Sequence, residues 1–187
     1  MIHRFLLLCL LLLVGCAAAP PKPQSIKRPT QTEHAPFVLS GRIAIKHGGN
    51  RSLSGVRWTH YAGADEILLL APFGQTVARI RSDMRGAVLD MPFKHYAAKD
   101  VDELTQQVLG WRLPLSGLRY WVLALPAPRS AFNIEHHTNG QTMLLSQDNW
   151  TIHYTRYAAQ TLDSLPLRLA LQRDGLEIQL LIDEWEI

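Results

Sequence analysis

The stretch Leu167-Arg168-Leu169-Ala170-Leu171-Gln172-Arg173-Asp174-Gly175-Leu176-Glu177-Ile178-Gln179-Leu180-Leu181-Ile182 decides the fold. Leu167, Leu169 and Leu171 share one face of an extended chain, Leu176, Ile178, Leu180 and Ile182 share one face of the next, and Arg173-Asp174-Gly175 turns between them. Apolar residues at period two mark a half-buried strand, and so short a connection favours an antiparallel neighbour. The same pattern recurs upstream. Phe37, Leu39, Gly41, Ile43 and Ile45 alternate with Ser40, Arg42 and Lys46, and His47-Gly48-Gly49-Asn50 turns into a strand marked by Val56, Trp58 and His60. A third strand runs from Glu66 to Ala71. Pro72-Phe73-Gly74 turns it into a fourth around Thr76 to Arg81, and a short strand through Val88 and Leu89 follows the turn Ser82 to Gly86. Strands resume at Phe132 to Glu135, Gln141 to Ser146 and Trp150 to Tyr157.

Two helical stretches interrupt the strands. Asp100-Val101-Asp102-Glu103 offers an acidic first turn with a D-x-x-E start, and Val101, Leu104, Val108 and Leu109 fall on one face. After Gly110, Pro114 and Ser116 open a second helix with Leu115, Leu118, Trp121, Val122 and Leu125 on its apolar side, stopped by Pro126 and Pro128. The expected class is α+β, with a single antiparallel sheet of about ten or eleven strands, which must curl or split. The helices can bury their apolar sides only against its concave face. Whether they close on a plain core or enclose an apolar cavity does not follow from periodicity.

The amino terminus carries a different signal. Met1-Ile2-His3-Arg4 is a short basic start, Phe5 to Val14 is an almost unbroken apolar run, and Leu13-Val14-Gly15-Cys16 ends it with small residues before a cysteine. A run of about ten residues is too short to span a bilayer, which takes about twenty, and suits a signal-peptide core. It resembles a bacterial lipoprotein signal, in which Cys16 receives a diacylglycerol on sulfur, residues 1–15 are removed, and the new amino group is acylated. No other cofactor is expected. Ala17, where an aspartate would favour inner-membrane retention in enterobacteria, favours the periplasmic face of the outer membrane. Cys9 lies in the discarded segment, so the mature chain has no pair from which to form an internal disulfide.

Residues 16–36 follow as a tether: five of the chain's eleven prolines stand there with almost no bulky apolar residue. Residues 37–187 form the folded domain. The formal charge of +3 includes Arg4, and no block of like charges suggests nucleic-acid binding. Features of an enzyme are thin. His136 and His137 would face opposite sides of a strand, and no G-x-S-x-G elbow, P-loop or dinucleotide fingerprint is present.

The chain carries an ordered series of landmarks: Gly41-Arg42-Ile43-Ala44-Ile45, Leu68-Leu69-Leu70-Ala71-Pro72-Phe73-Gly74, Leu113-Pro114-Leu115, Leu118-Arg119-Tyr120-Trp121-Val122-Leu123 and Leu125-Pro126-Ala127-Pro128. Asn149-Trp150-Thr151-Ile152-His153-Tyr154, Leu165-Pro166-Leu167-Arg168-Leu169 and Ile182-Asp183-Glu184-Trp185 complete it. In this order they resemble the LolB family of outer-membrane lipoprotein receptors. The resemblance implies an unclosed β-barrel with helices over an apolar cavity. It also implies a monomer that accepts acylated lipoproteins from the soluble periplasmic carrier LolA and delivers them to outer-membrane lipid. A structural or assembly lipoprotein with a solidly packed sheet is the alternative.

Within that frame the loop Pro72-Phe73-Gly74 is expected to hold an apolar prong that enters the bilayer, the other reading being a loop phenylalanine folded back on the core. The family usually has leucine in this loop, so Phe73 keeps the apolar character and changes the shape. The acyl-chain cavity is expected to be lined in part by Trp58, Leu104, Val108, Leu118 and Trp121, with ordinary core packing as the other reading. Arg42 reads as solvated.

Overall fold

The computed structural model describes residues 27–29 and 35–187. The leader, Cys16 and most of the proline-rich segment lie outside the described residues. The strands are β1 Phe37–His47, β2 Asn50–Tyr61, β3 Ala64–Leu70, β4 Thr76–Asp83, β5 Gly86–Met91 and β6 Lys94–Ala98, then β7 Phe132–His136, β8 Thr142–Gln147, β9 Trp150–Tyr157, β10 Pro166–Arg173 and β11 Leu176–Glu186. Helices α1, Val101–Leu109, and α2, Leu115–Trp121, stand between β6 and β7.

All eleven strands form one sheet in the order β6-β5-β4-β3-β2-β1-β11-β10-β9-β8-β7. Each strand pairs antiparallel with its neighbours, and β1 and β11, the two ends of the domain, pair at its centre. The free edges β6 and β7 therefore come from mid-sequence, and the helices connect them. This is an unclosed barrel. Gly41 marks the central seam: a Cβ there would collide with the Leu181 carbonyl, where the register between β1 and β11 shifts. Close backbone approach at a bulge calls for glycine.

The core lies on the concave face. Leu39, Val56, Ile67, Ile80 and Leu89 alternate inward on one half, and Leu145, Ile152, Leu169, Ile178 and Ile182 on the other. Phe37 joins the halves, with its ring edge-on to Trp58 at 5.0 Å and to Trp185 at 5.7 Å between centroids. Such pairs contribute about 0.5–1.5 kcal/mol beyond their area.

Two elements depart from the sequence expectation. Strand β6, Lys94–Ala98, was not expected, because KHYAA has no β-branched residue; its place comes from pairing with β5. Helix α2 ends at Trp121, so Val122 and Leu125 lie beyond it. The residues preceding Pro126 close instead with tighter bonds, Leu123 N–H to the Tyr120 carbonyl at 2.9 Å and Ala124 N–H to the Trp121 carbonyl at 3.0 Å. In α1 the Asp100 carboxylate accepts from the Glu103 N–H at 2.8 Å, while Glu103 accepts from the N–H of Lys99 at 3.3 Å.

Polar clasps hold α2 across the open side. At one end the Arg119 guanidinium donates to the Asp65 carboxylate, Nε to Oδ2 at 2.8 Å. Asp65 is buried, and its Oδ1 also accepts from Trp58 Nε1 at 2.8 Å and meets His60 Nδ1 at 2.8 Å. At the other end Trp121 Nε1 donates to Gln147 Oε1 at 2.8 Å, and the Tyr154 hydroxyl donates to the Trp121 carbonyl at 2.8 Å. Burial pushes the Tyr154 phenol well above its ordinary pKa, which keeps it a neutral donor. Arg119 is thus tied to β3, and Trp121 to β8 and β9.

The end of the barrel that carries the β2–β3 and β9–β10 connections also receives residues 27–29. Lys27 bridges to Ser164, and the Arg28 N–H donates to the Asp163 carbonyl at 2.6 Å.

Removing the carboxylate of the first clasp leaves a half-buried guanidinium and a buried indole N–H without it. Asp65→Ala should lower unfolding free energy by about 3 kcal/mol, and Asp65→Asn by less. Urea unfolding followed by tryptophan fluorescence checks this; a loss under a few tenths would mean that the clasp is dispensable.

Candidate acyl-chain lid and membrane tips

Every expected cavity residue that lies in the domain is found under or on the lid. Leu104 and Trp121 are fully buried, Trp58 and Leu118 are buried, and Val108 is half-buried against the same core. Thr105 ties α1 to the segment before α2: its hydroxyl donates to the Val101 carbonyl at 2.8 Å and accepts from the Leu113 N–H at 2.9 Å. Trp121 lies against Trp150 of β9, with centroids 6.1 Å apart. All five belong to one apolar cluster. An open cavity of about 560 Å³ lies elsewhere, between the β2–β3 and β4–β5 hairpins and β6. Asp65, Ser82, Ala87 and Ala98 are in its wall, and none of the five expected residues is. The Asp65 carboxylate that ties down Arg119 is itself buried, its side chain 1% exposed.

The expected prong stands clear of the core. Phe73 is 90% exposed, and Pro72 and Gly74 beside it are exposed. Gly74 has φ +83°, its N–H donates to the Ala71 carbonyl at 2.8 Å, and the Ala71 N–H donates to the Gln75 carbonyl at 2.9 Å. This is a three-residue hairpin tip whose left-handed position requires glycine. The two hydrogen bonds close the turn, and the aromatic ring projects from it.

A second tip escaped the sequence reading. Met91 and Lys94 pair directly, so Pro92-Phe93 is a two-residue turn. Phe93 is fully exposed at φ +63°, where glycine or asparagine is ordinarily found. Holding a bulky residue there costs about 1–2 kcal/mol. A signal was available, since Pro-Phe occurs at both 72–73 and 92–93. Strand alternation places the β3–β4 and β5–β6 turns at the same end of the barrel, opposite the β2–β3 turn. Val77 and Leu53, both exposed, lie toward that end as well.

Asp65, Arg119 and Gln147 were also missed as lid residues. Asp65 falls in phase with Ile67 and Leu69, and Gln147 in phase with Leu145. A polar residue on the apolar phase of a strand is the detectable sign. Arg42 is exposed and pairs with Asp183 at 2.9 Å, away from the lid contacts.

The family model described as outer membrane lipoprotein LolB matches residues 35–185. An outer-membrane lipoprotein LolB of Thiobacillus denitrificans is 40% identical, covering 92% of this chain and 90% of that one. Another, from Chromobacterium violaceum, is 37% identical over the full length of both. Among solved structures, a LolA superfamily protein from Nitrosomonas europaea aligns with a TM-score of 0.50 at 10% identity, covering 83% of this chain and 87% of that one, which speaks for the fold alone. With an unclosed barrel, a two-helix lid and this match across the whole folded region, the chain belongs to the LolB family of outer-membrane lipoproteins.

Proposed function

We propose that the protein is a lipid-anchored monomeric receptor on the periplasmic face of the outer membrane. It accepts acylated lipoproteins from a soluble carrier of the LolA kind and inserts them into outer-membrane lipid. The observation that carries this reading is the lid: two short helices close the concave side of an open barrel, α2 being tied down by a few polar clasps.

The energetics require such a device. Each methylene removed from water contributes about 0.8 kcal/mol, so the chains of a triacylated protein represent tens of kcal/mol and cannot be released into water. They have to pass between apolar interiors of similar affinity, with the bilayer as the sink. In the closed form described here, Trp58, Leu104, Val108, Leu118 and Trp121 contact protein. Loading exchanges those contacts for acyl chain as the helices lift, so the net cost is far below that of exposing either surface. Nothing in this cycle needs a covalent step or a cofactor beyond the lipid on Cys16.

The closed packing also favours a second reading, a structural lipoprotein with a solid core. An apolar fluorescent probe separates the two. Binding to the protein and displacement by an acylated lipoprotein is the expected result, whereas absence of binding favours the structural role.

Cys16→Ala should remove fatty-acid label from the protein in metabolic labelling; label that persists rules out this anchor. One chain would bind only marginally, and several acting together give stable attachment.

Phe73 contributes about 1.5–3 kcal/mol when buried in lipid, enough to orient the domain and too little to hold it. Phe73→Glu should still take lipoprotein from the carrier and should fail to pass it to liposomes, while Phe73→Leu should do both. Normal insertion by the glutamate variant would remove the delivery role.

A further inference from the structure

We propose that Pro92-Phe93-Lys94 is a second membrane-contact point, seated beside the Phe73 tip on a bilayer with anionic headgroups. The proposal rests on the reading of Phe73 as a membrane tip and adds a distinct set of residues to it.

Folding does not account for Phe93. Its ring is fully exposed, and its backbone occupies a conformation that glycine would hold without strain. Position accounts for it better. The β3–β4 and β5–β6 tips are at the same end and are two strand spacings apart, about 10 Å. A shallow depression of about 300 Å³ lies near the two tips, lined in part by Val77, Ala78, Met91 and Pro92. Two convex apolar points with a depression beside them do not make the packed pocket that a protein hot spot needs. A deformable lipid phase can bury both points at once.

Charge identifies the headgroup. Lys94 follows Phe93 directly, is exposed, and makes no ion pair among the described residues. With Phe93 in the acyl boundary, its ammonium lies at the level of the phosphates. At the same end Lys46 stands opposite Arg51 across the β1–β2 hairpin, with Glu177 on its other flank. A single tip fixes a point of contact and leaves the domain free to tilt. Two tips fix a line.

The test uses the full lipidated chain in phosphatidylethanolamine vesicles with and without phosphatidylglycerol. An environment-sensitive probe is placed on cysteine at 73, 93 or, as a control at the opposite end, 84. Spin-labelled lipids should quench the probes at 73 and 93 and leave that at 84 unaffected. Quenching at 93 should fall several-fold without phosphatidylglycerol, and Lys94→Gln should remove that dependence. Phe93→Gly should unfold at the same or higher urea concentration than the parent while quenching at 73 falls several-fold, an outcome that a packing role for Phe93 does not give. A probe at 93 that reports water while that at 73 is quenched overturns the second contact and leaves the receptor reading intact. No quenching at either position overturns the membrane reading of both tips. Quenching at 93 that is indifferent to phosphatidylglycerol overturns the role of Lys94.

Discussion

The pairing of β1 with β11 is the constraint on which the rest of the structure depends. It joins the first and last strands of the domain at the centre of the sheet, so the sheet cannot end at the chain's termini. The free edges fall at β6 and β7, and the segment between them has to cross the open side. A lid is the consequence. The same pairing delays the reward for folding: contacts between residues some 140 positions apart, as in Arg42 with Asp183, form only after a large loss of chain entropy.

The lid combines two kinds of attachment with different consequences. Apolar side chains of α1 and α2 fill the concave face, and that attraction is non-directional, so an acyl chain can substitute for it. The clasps at Asp65 and Gln147 are directional and a lipid tail cannot replace them. Asp65 has Trp58 and His60 as partners besides Arg119, so loss of the Arg119 contact would not strip it of hydrogen bonds. Hydrogen bonds specify the closed arrangement, and apolar contacts complete it.

Most of the sheet was legible because alternation is a local signal. Trp150–Tyr157 was read with the bounds it has, and β10 and β11 differ from expectation only at their ends. Strand β6 was not legible, since only Tyr96 among its residues favours a strand and the segment takes its conformation from β5. The end of α2 is set by Ala124, whose left-handed φ of +56° stops the helix before Pro126, and an alanine gives no local sign of that conformation. Phe73 was legible as a loop residue, while its exposure was expected only through the family resemblance, since a loop phenylalanine can also fold back on the core. The expected cavity set was legible as apolar residues of one packed cluster, four of them on the helices themselves. Its closed state was not, because apolar periodicity is the same whether a face touches protein or lipid. Asp65 and Arg119 are separated by 54 positions, and nothing local ties them together.

The contact of residues 27–29 with the β9–β10 connection has a geometric consequence for a protein anchored, as proposed, at Cys16. Those residues bind at the end of the barrel opposite the two Pro-Phe tips. Eleven peptide units separate Cys16 from Lys27, and fully extended they span no more than about 40 Å. The eleven residues of β11 alone run to about 35 Å. The leash is therefore about as long as the body it holds, and it is attached at the far end. For such an anchor, seating the tips uses nearly the whole of that reach, and the same reach confines the domain to a volume about its own length across. Within so small a volume the local concentration of tip at the bilayer is on the order of millimolar, so contacts that are weak one at a time can be made and broken with each delivery.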